Sequence, residues 1–282
     1  NDGNVQLSIS NKTFNQTATF WYIGKAIHTT GDAITSGSTS KIVIAELANN
    51  SLTLTPSNNI AISNGTTLDA LGGRLDIRKG IVVETPSATI TGSGRLVMTD
   101  GTFQSSVLST TLPQLSNYNN YSLTGGTVEL NGNGSQTISG APSGGYYKVA
   151  ITNAGTKSVT SAFTISKNLT ITNGVFDPTN NAITGNAGLT MTGGTFRMSK
   201  IGETLPQLEG IDSVYTITGG TVELYGTSST QTHSLRGTYN GTPGTNINYY
   251  NVELNSTGAN VGVGAANVVA QAGFGVAGTM NV

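Results

Sequence analysis

Ionisable side chains are few in this chain, so the residues able to do chemistry can be weighed singly. Of 282 residues, 14 are Asp or Glu, 13 are Lys or Arg, two are His and none is Cys. Without Cys there is neither a disulfide framework nor a thiolate metal site. Hydrolysis of a glycosidic bond needs two carboxyls ~5–9.5 Å apart. The pair that invites this reading is Glu129 and Glu223, each closing the phrase Gly-Gly-Thr-Val-Glu. Both read as outward positions about four coils apart, roughly 19 Å at the strand spacing, and so cannot share one bond. They read instead as solvated charges. Arg74, Asp76, Arg78 and Lys79 form the one charge cluster, where a polysaccharide lyase would place its base. Alternation sets Arg74, Asp76 and Arg78 on one strand face, and a row of surface ion pairs explains them. His28 and His233 stand alone, and neither a phosphate-binding glycine loop nor a Gly-Gly-x-Gly-x-Asp calcium repeat occurs. The sequence predicts no catalytic residue, no cofactor and no metal.

Two sets of residues suit binding. The pairs Tyr146/Tyr147 and Tyr249/Tyr250 could stack on sugar rings, although neighbouring strand residues point to opposite faces, one inward and one outward. Thr53/Thr55, Thr89/Thr91, Thr170/Thr172 and Thr216/Thr218 form Thr-x-Thr rows of the kind that bind ice on a flat face; their irregular spacing along the chain argues for an ordinary hydrated exterior.

What must position these residues is a chain of strands and turns. Gly, Thr, Asn and Ser make up nearly half the residues, with 38 Gly, 44 Thr, 28 Asn and 27 Ser. The formal net charge is −1, which leaves no basic surface for nucleic acid, and no apolar run reaches the ~18 residues of a membrane span. Runs such as Val5-Gln6-Leu7-Ser8-Ile9, Leu75-Asp76-Ile77 and Leu169-Thr170-Ile171 alternate apolar and polar residues, the period of a half-buried strand. Asn64-Gly65, Gly72-Gly73, Asn173-Gly174 and Gly193-Gly194 supply turns between them.

A long internal repeat organises the strands. Leu96 to Phe103 returns as Leu189 to Phe196, and Thr111-Leu112-Pro113-Gln114-Leu115 as Thr204-Leu205-Pro206-Gln207-Leu208. Tyr121 to Leu130 returns as Tyr215 to Leu224, and Tyr146-Tyr147 as Tyr249-Tyr250. Within each repeat, strand-turn units recur at roughly 20–25 residues, the range of solenoid coils. The expected fold is all-β, a right-handed parallel β-helix (β-solenoid) of about a dozen coils with the segments 105–120, 199–214 and 235–248 projecting as loops from one side. Residues 1–91 form non-repeat coils, 92–186 the first long repeat and 187–282 a second, truncated one. The last residues stop within strand grammar, so the chain is expected to continue.

Gly125 to Gly140, then Tyr146-Tyr147-Lys148-Val149-Ala150-Ile151-Thr152-Asn153-Ala154-Gly155 and Leu169 to Asp177, resemble repeats in large secreted proteins of Bacteroidetes. These include cell-surface adhesins and gliding-associated proteins exported by the type IX system. The resemblance covers 92–282, and 1–91 in general style. It implies a β-solenoid on the cell surface or in an extracellular fibre, serving as a stalk or adhesive segment. Asp212-Ser213-Val214 matches the Asp-(Ser/Thr)-aliphatic pattern that carries O-glycans in that phylum, making Ser213 a candidate. The partners implied are surface polysaccharide and further copies joined end to end. The alternatives are a carbohydrate-binding or polysaccharide-degrading β-helix and an ice-binding protein.

Overall fold

The computed structural model describes, with their side chains, residues 96–106, 121–138, 144–200, 214–226 and 247–255, a few single positions, and the backbone of further strands between Thr19 and Asn281. Among the described residues the regular structure is all strand. The chain divides into two compact units, residues 1–132 with 140–147 and residues 133–139 with 148–282.

In the first unit each pass of the chain lays its strands beside those of the pass before. Thr19–Tyr22, Lys41–Ile44, Arg74–Ile77, Arg95–Met98 and Tyr121–Leu123 pair in that order, all parallel. A second parallel ladder runs through Ile27–Thr29, Leu52–Thr55, Ile81–Thr85, Thr102–Ser105 and Thr127–Leu130. A third joins Ile60–Ala61, Ile90–Gly92 and Gln114–Leu115. Alternation decides the faces: Phe103, Val128 and Leu130 are buried, whereas Thr102, Thr127 and Glu129 lie half-buried on the other side.

The second unit carries one ladder through seven passes: Gln136–Ile138, Thr156–Val159, Val175–Asp177, Gly188–Met198, Tyr215–Gly226, Asn251–Ser256 and Met280–Asn281. Its inward column is Gln136, Lys157, Phe176, Phe196, Val222 and Val252, each buried. Phe163 meets Phe176 edge-on at 6.5 Å between ring centres, and Phe176 lies 5.8 Å from Phe196. Alongside, Leu169 stacks on Leu189 and Ile171 on Met191, which in turn lies beside Ile217.

The recurring Gly-Gly-Thr has a steric cause. A Cβ on Gly219 would overlap the Thr192 carbonyl of the preceding pass, and Gly220 sits at φ +82° against the carbonyls of Gly193 and Gly194. Only glycine meets both conditions cheaply.

Two of the segments expected to be loops contribute strands instead. Gln114–Leu115 pairs with Ile90–Gly92, and Thr204–Leu205 with Thr232–Leu235. In the sequence Pro113 and Pro206 stand next to these short strands. Leu208 is buried, its carbonyl accepting a hydrogen bond from the Tyr215 hydroxyl at 2.7 Å. Most of 235–248 lies outside the described residues.

Phe196 sits between Phe176 and Val222 with no exposed surface. Replacing it with Ala removes a ring that the rigid ladders on either side cannot close over. The variant is expected to lose about 3–5 kcal/mol of unfolding free energy, measured by urea denaturation; a loss near zero would show that the column is not packed as described.

Candidate functional site

The main concentration of charge among the described side chains lies on the outward side of the long ladder in the second unit. Continuing the register that sets Phe176 beside Phe196 aligns Asp177 with Arg197, which is paired with Glu223, and Glu223 with Glu253. Arg197 Nε lies 3.8 Å from Asp177 Oδ2 and 3.5 Å from Glu223 Oε2, one acid from the pass before and one from the pass after. The guanidinium carbon sits 4.2 Å from the centre of the Tyr225 ring, within reach of a cation–π attraction. The Tyr225 hydroxyl donates to Asp177 Oδ1 at 3.0 Å, and the Thr179 amide donates to the same oxygen at 2.8 Å. Asn255 Nδ2 donates to Glu223 Oε1 at 3.1 Å.

Alternation points all these side chains outward, yet Asp177, Glu223 and Tyr225 are 8–9% exposed. Burial pushes the Tyr225 phenol above its ordinary range; Ser199 pulls it down through a hydrogen bond, and Asp177 raises it further. The phenol therefore stays protonated and keeps donating. Arg197 lies between the two acids, so a guanidinium stands where a glycosidase would need room for a scissile bond. The arrangement is that of a staple: one cation joining three passes of the chain.

The first unit has the matching column without the cation. Glu84 is aligned with Gln104 and Gln104 with Glu129, and Gln104 Nε2 donates to Glu129 Oε2 at 2.8 Å. Glu129 is half-buried and Glu223 buried, so neither is the freely solvated charge that the sequence suggests. Period-2 alternation gives the face of a residue but not whether that face is covered. The residues missed were Gln104 and Arg197, which occupy the same place in the two repeats.

A second polar feature lies inside. Lys157 has no exposed surface, although its column continues into Phe176 and Phe196. Its Nζ donates to the carbonyls of Gly134 at 2.7 Å and Ala154 at 2.8 Å. Burial pulls its pKa below the ordinary 10.5.

The tyrosine pairs divide between inside and outside. Tyr146 and Tyr249 are buried in the core, Tyr147 is half-buried and Tyr250 is 40% exposed, which leaves Tyr147 and Tyr250 as the rings with a face to offer a sugar. Ser213 lies outside the described residues, as does Arg78. Arg74 and Asp76 fall in the strand Arg74–Ile77, and His28 and His233 in strands Ile27–Thr29 and Thr232–Leu235. Thr170 is aligned with Thr190, and Thr190 with Thr216, so Thr190 joins two rows that the sequence left apart, whereas Thr192 is aligned with Gly219. Asn168 Nδ2 donates to the hydroxyls of Thr170 and Thr190, and the register shifts at Thr192 within these rows. Among the described residues no group of His, Asp and Glu is arranged to hold a metal ion, and no helix is long and apolar enough to cross a membrane. Comparison with protein-family models, characterised proteins and solved structures finds no match to this chain.

Removing the cation leaves two acids facing each other at low exposure. Arg197 is itself 36% exposed, which discounts the full cost of breaking a buried pair, so Arg197→Met is expected to destabilise by about 1–3 kcal/mol. Arg197→Gln, copying Gln104, should cost less. Both variants lack the charge, so equal losses in thermal unfolding would mean that a neutral donor at this position does nothing for the two acids.

For Lys157 the sign is fixed by burial. A lysine whose folded pKa is lowered binds fewer protons folded than unfolded, so stability rises with pH between the folded value and 10.5. Lys157→Met lacks that contribution. The stability of the native chain relative to Lys157→Met is expected to increase as pH climbs towards 10.5, read by denaturant titration at each pH; a flat difference would remove the lysine from the account.

Proposed function

We propose that this chain is a non-enzymatic β-solenoid, right-handed and of about a dozen coils, that serves as the stalk or adhesive shaft of an extracellular surface protein or filament. The observation that carries the reading is the register itself. Through seven passes of the second unit, parallel strands stack residue on residue, and Asp177, Arg197 and Glu223 are engaged with one another rather than presented to a substrate. The resemblance to repeats of Bacteroidetes surface proteins supports the same placement, on the cell surface or in an extracellular fibre. A stack of backbone ladders resists extension along its axis, which is the mechanical property a shaft needs. Tyr147 and Tyr250 are the residues we assign to contact with surface polysaccharide, and an open terminal coil is the surface through which copies would join end to end by a heterologous contact.

Small-angle scattering of the purified chain tests the reading. A dozen coils at ~4.8 Å each give a rod about 60 Å long, with a distance distribution skewed as rods require. A symmetric, globular distribution would sink the proposal, as would turnover of a polysaccharide that is lost on changing Arg74 or Arg78.

A further inference from the structure

The turn at Asn173-Gly174 carries a reactive geometry that the stacking of strands does not use. Asn173 is exposed, and the Gly174 amide nitrogen lies 2.8 Å from Asn173 Oδ1. Around it the ladder is formed by other groups: Thr172 donates to Ile151, Val175 to Gly155 and Thr195 to Gly174. The Gly174 N–H therefore has its own side-chain neighbour as partner and is not tied to an adjacent strand. Glycine at this point is fixed by sterics, since φ is +71° and a Cβ would overlap the carbonyl of Asn153 and crowd that of Gly155. The same absence of a Cβ leaves the nitrogen unhindered. Oδ1 is bonded to Cγ, so this contact holds the Gly174 nitrogen against the side-chain carbonyl group whose carbon it would attack, the kind of positioning from which an intramolecular reaction gains its rate advantage.

We propose that Asn173-Gly174 is a site of spontaneous succinimide formation, a self-inflicted covalent modification of the folded chain. The Gly174 nitrogen loses its proton to solvent and attacks Asn173 Cγ, forming the C–N bond of a five-membered ring. The Cγ–Nδ2 bond breaks and the side-chain nitrogen leaves as ammonia, taking up a proton. Water then opens the ring: attack at Cγ yields aspartate, and attack at the main-chain carbonyl yields isoaspartate with one additional backbone atom. Each product adds a negative charge to a chain of formal net charge −1. The isoaspartyl product also lengthens a turn that has no room against Asn153 and Gly155, so the modification loosens the stack at that level.

The neighbouring pass provides an internal comparison. The Ala154 nitrogen lies 2.9 Å from Asn153 Oδ1, almost the same contact, but the attacking residue bears a Cβ and Asn153 is only half-exposed. Incubating the full chain at mildly alkaline pH, followed by peptide mapping after acidic digestion, tests the proposal. Asn173 is expected to convert to aspartate and isoaspartate several times faster than Asn153, with release of ammonia. Intact Asn173 in chains where Asn153, or Asn131 of the described pair Asn131-Gly132, has converted would overturn it. A variant Asn173→Gln should release correspondingly less ammonia at an unchanged unfolding midpoint, and undiminished release would equally overturn the assignment.

Discussion

A parallel ladder in register sets each side chain directly against its counterpart in the next pass, and everything else in these two units answers to that constraint. Apolar counterparts benefit from it: Phe176 meets Phe196, Leu169 meets Leu189, and burial and dispersion add along the column. Like charges suffer from it, because two acids one strand spacing apart repel. The outward column of the second unit meets this difficulty by interposing Arg197 between Asp177 and Glu223. Where Glu223 is followed directly by Glu253, the amide of Asn255 takes one oxygen of Glu223. The first unit meets it with Gln104, a neutral donor between the positions of Glu84 and Glu129.

The same constraint explains how a lysine is accommodated in an interior column. An unpaired ammonium in apolar surroundings would be prohibitive. Lys157 lies in the column between Gln136 and Phe176, and its long stem carries the ammonium to the carbonyls of two turns, at Gly134 and Ala154. Those turns approach each other so closely that a Cβ at Gly155 would overlap the Gly134 backbone. The cation thus joins two levels of turn from within, as Arg197 joins three levels of strand from outside.

Much of the fold was legible because alternation and turn chemistry are local. Leu169-Thr170-Ile171 reads as a strand with two inward residues, and Leu169 and Ile171 are fully buried. Gly-Gly-Thr reads as a turn followed by a strand start, and its glycines are demanded by the carbonyls of the previous pass. The candidate site was less legible. Glu129 and Glu223 stood out because acids are scarce, but their partners Gln104 and Arg197 differ chemically between the repeats, so likeness of sequence hid likeness of position. Lys157 was unreadable for a related reason: Thr156-Lys157-Ser158-Val159 alternates in the sense that buries the lysine, and composition rules assign a lysine to the surface. The segments 105–120 and 199–214 read as loops because Leu-Pro-Gln-Leu and its polar neighbours interrupt the alternation, and two-residue strands are too short to show a period.

With Asp177, Arg197 and Glu223 committed to one another, hydroxyls and amides are prominent on the described surface of the second unit. These also form ladders: Thr164 lies 3.3 Å from Thr184, Thr137 lies 3.3 Å from Ser158, and Asn168 bridges Thr170 and Thr190. A hydroxyl can both donate and accept, so a column of them satisfies itself at any register that keeps the passes aligned. Charges cannot do this, since each needs an opposite partner at one particular level. Adding a pass to a hydroxyl column therefore requires no new complement, whereas adding one to the Asp177–Arg197–Glu223 column would. Uncharged polar residues are thus the composition with which a stacked chain can be extended by repetition, and the Arg197 staple marks a level where the order of passes is fixed.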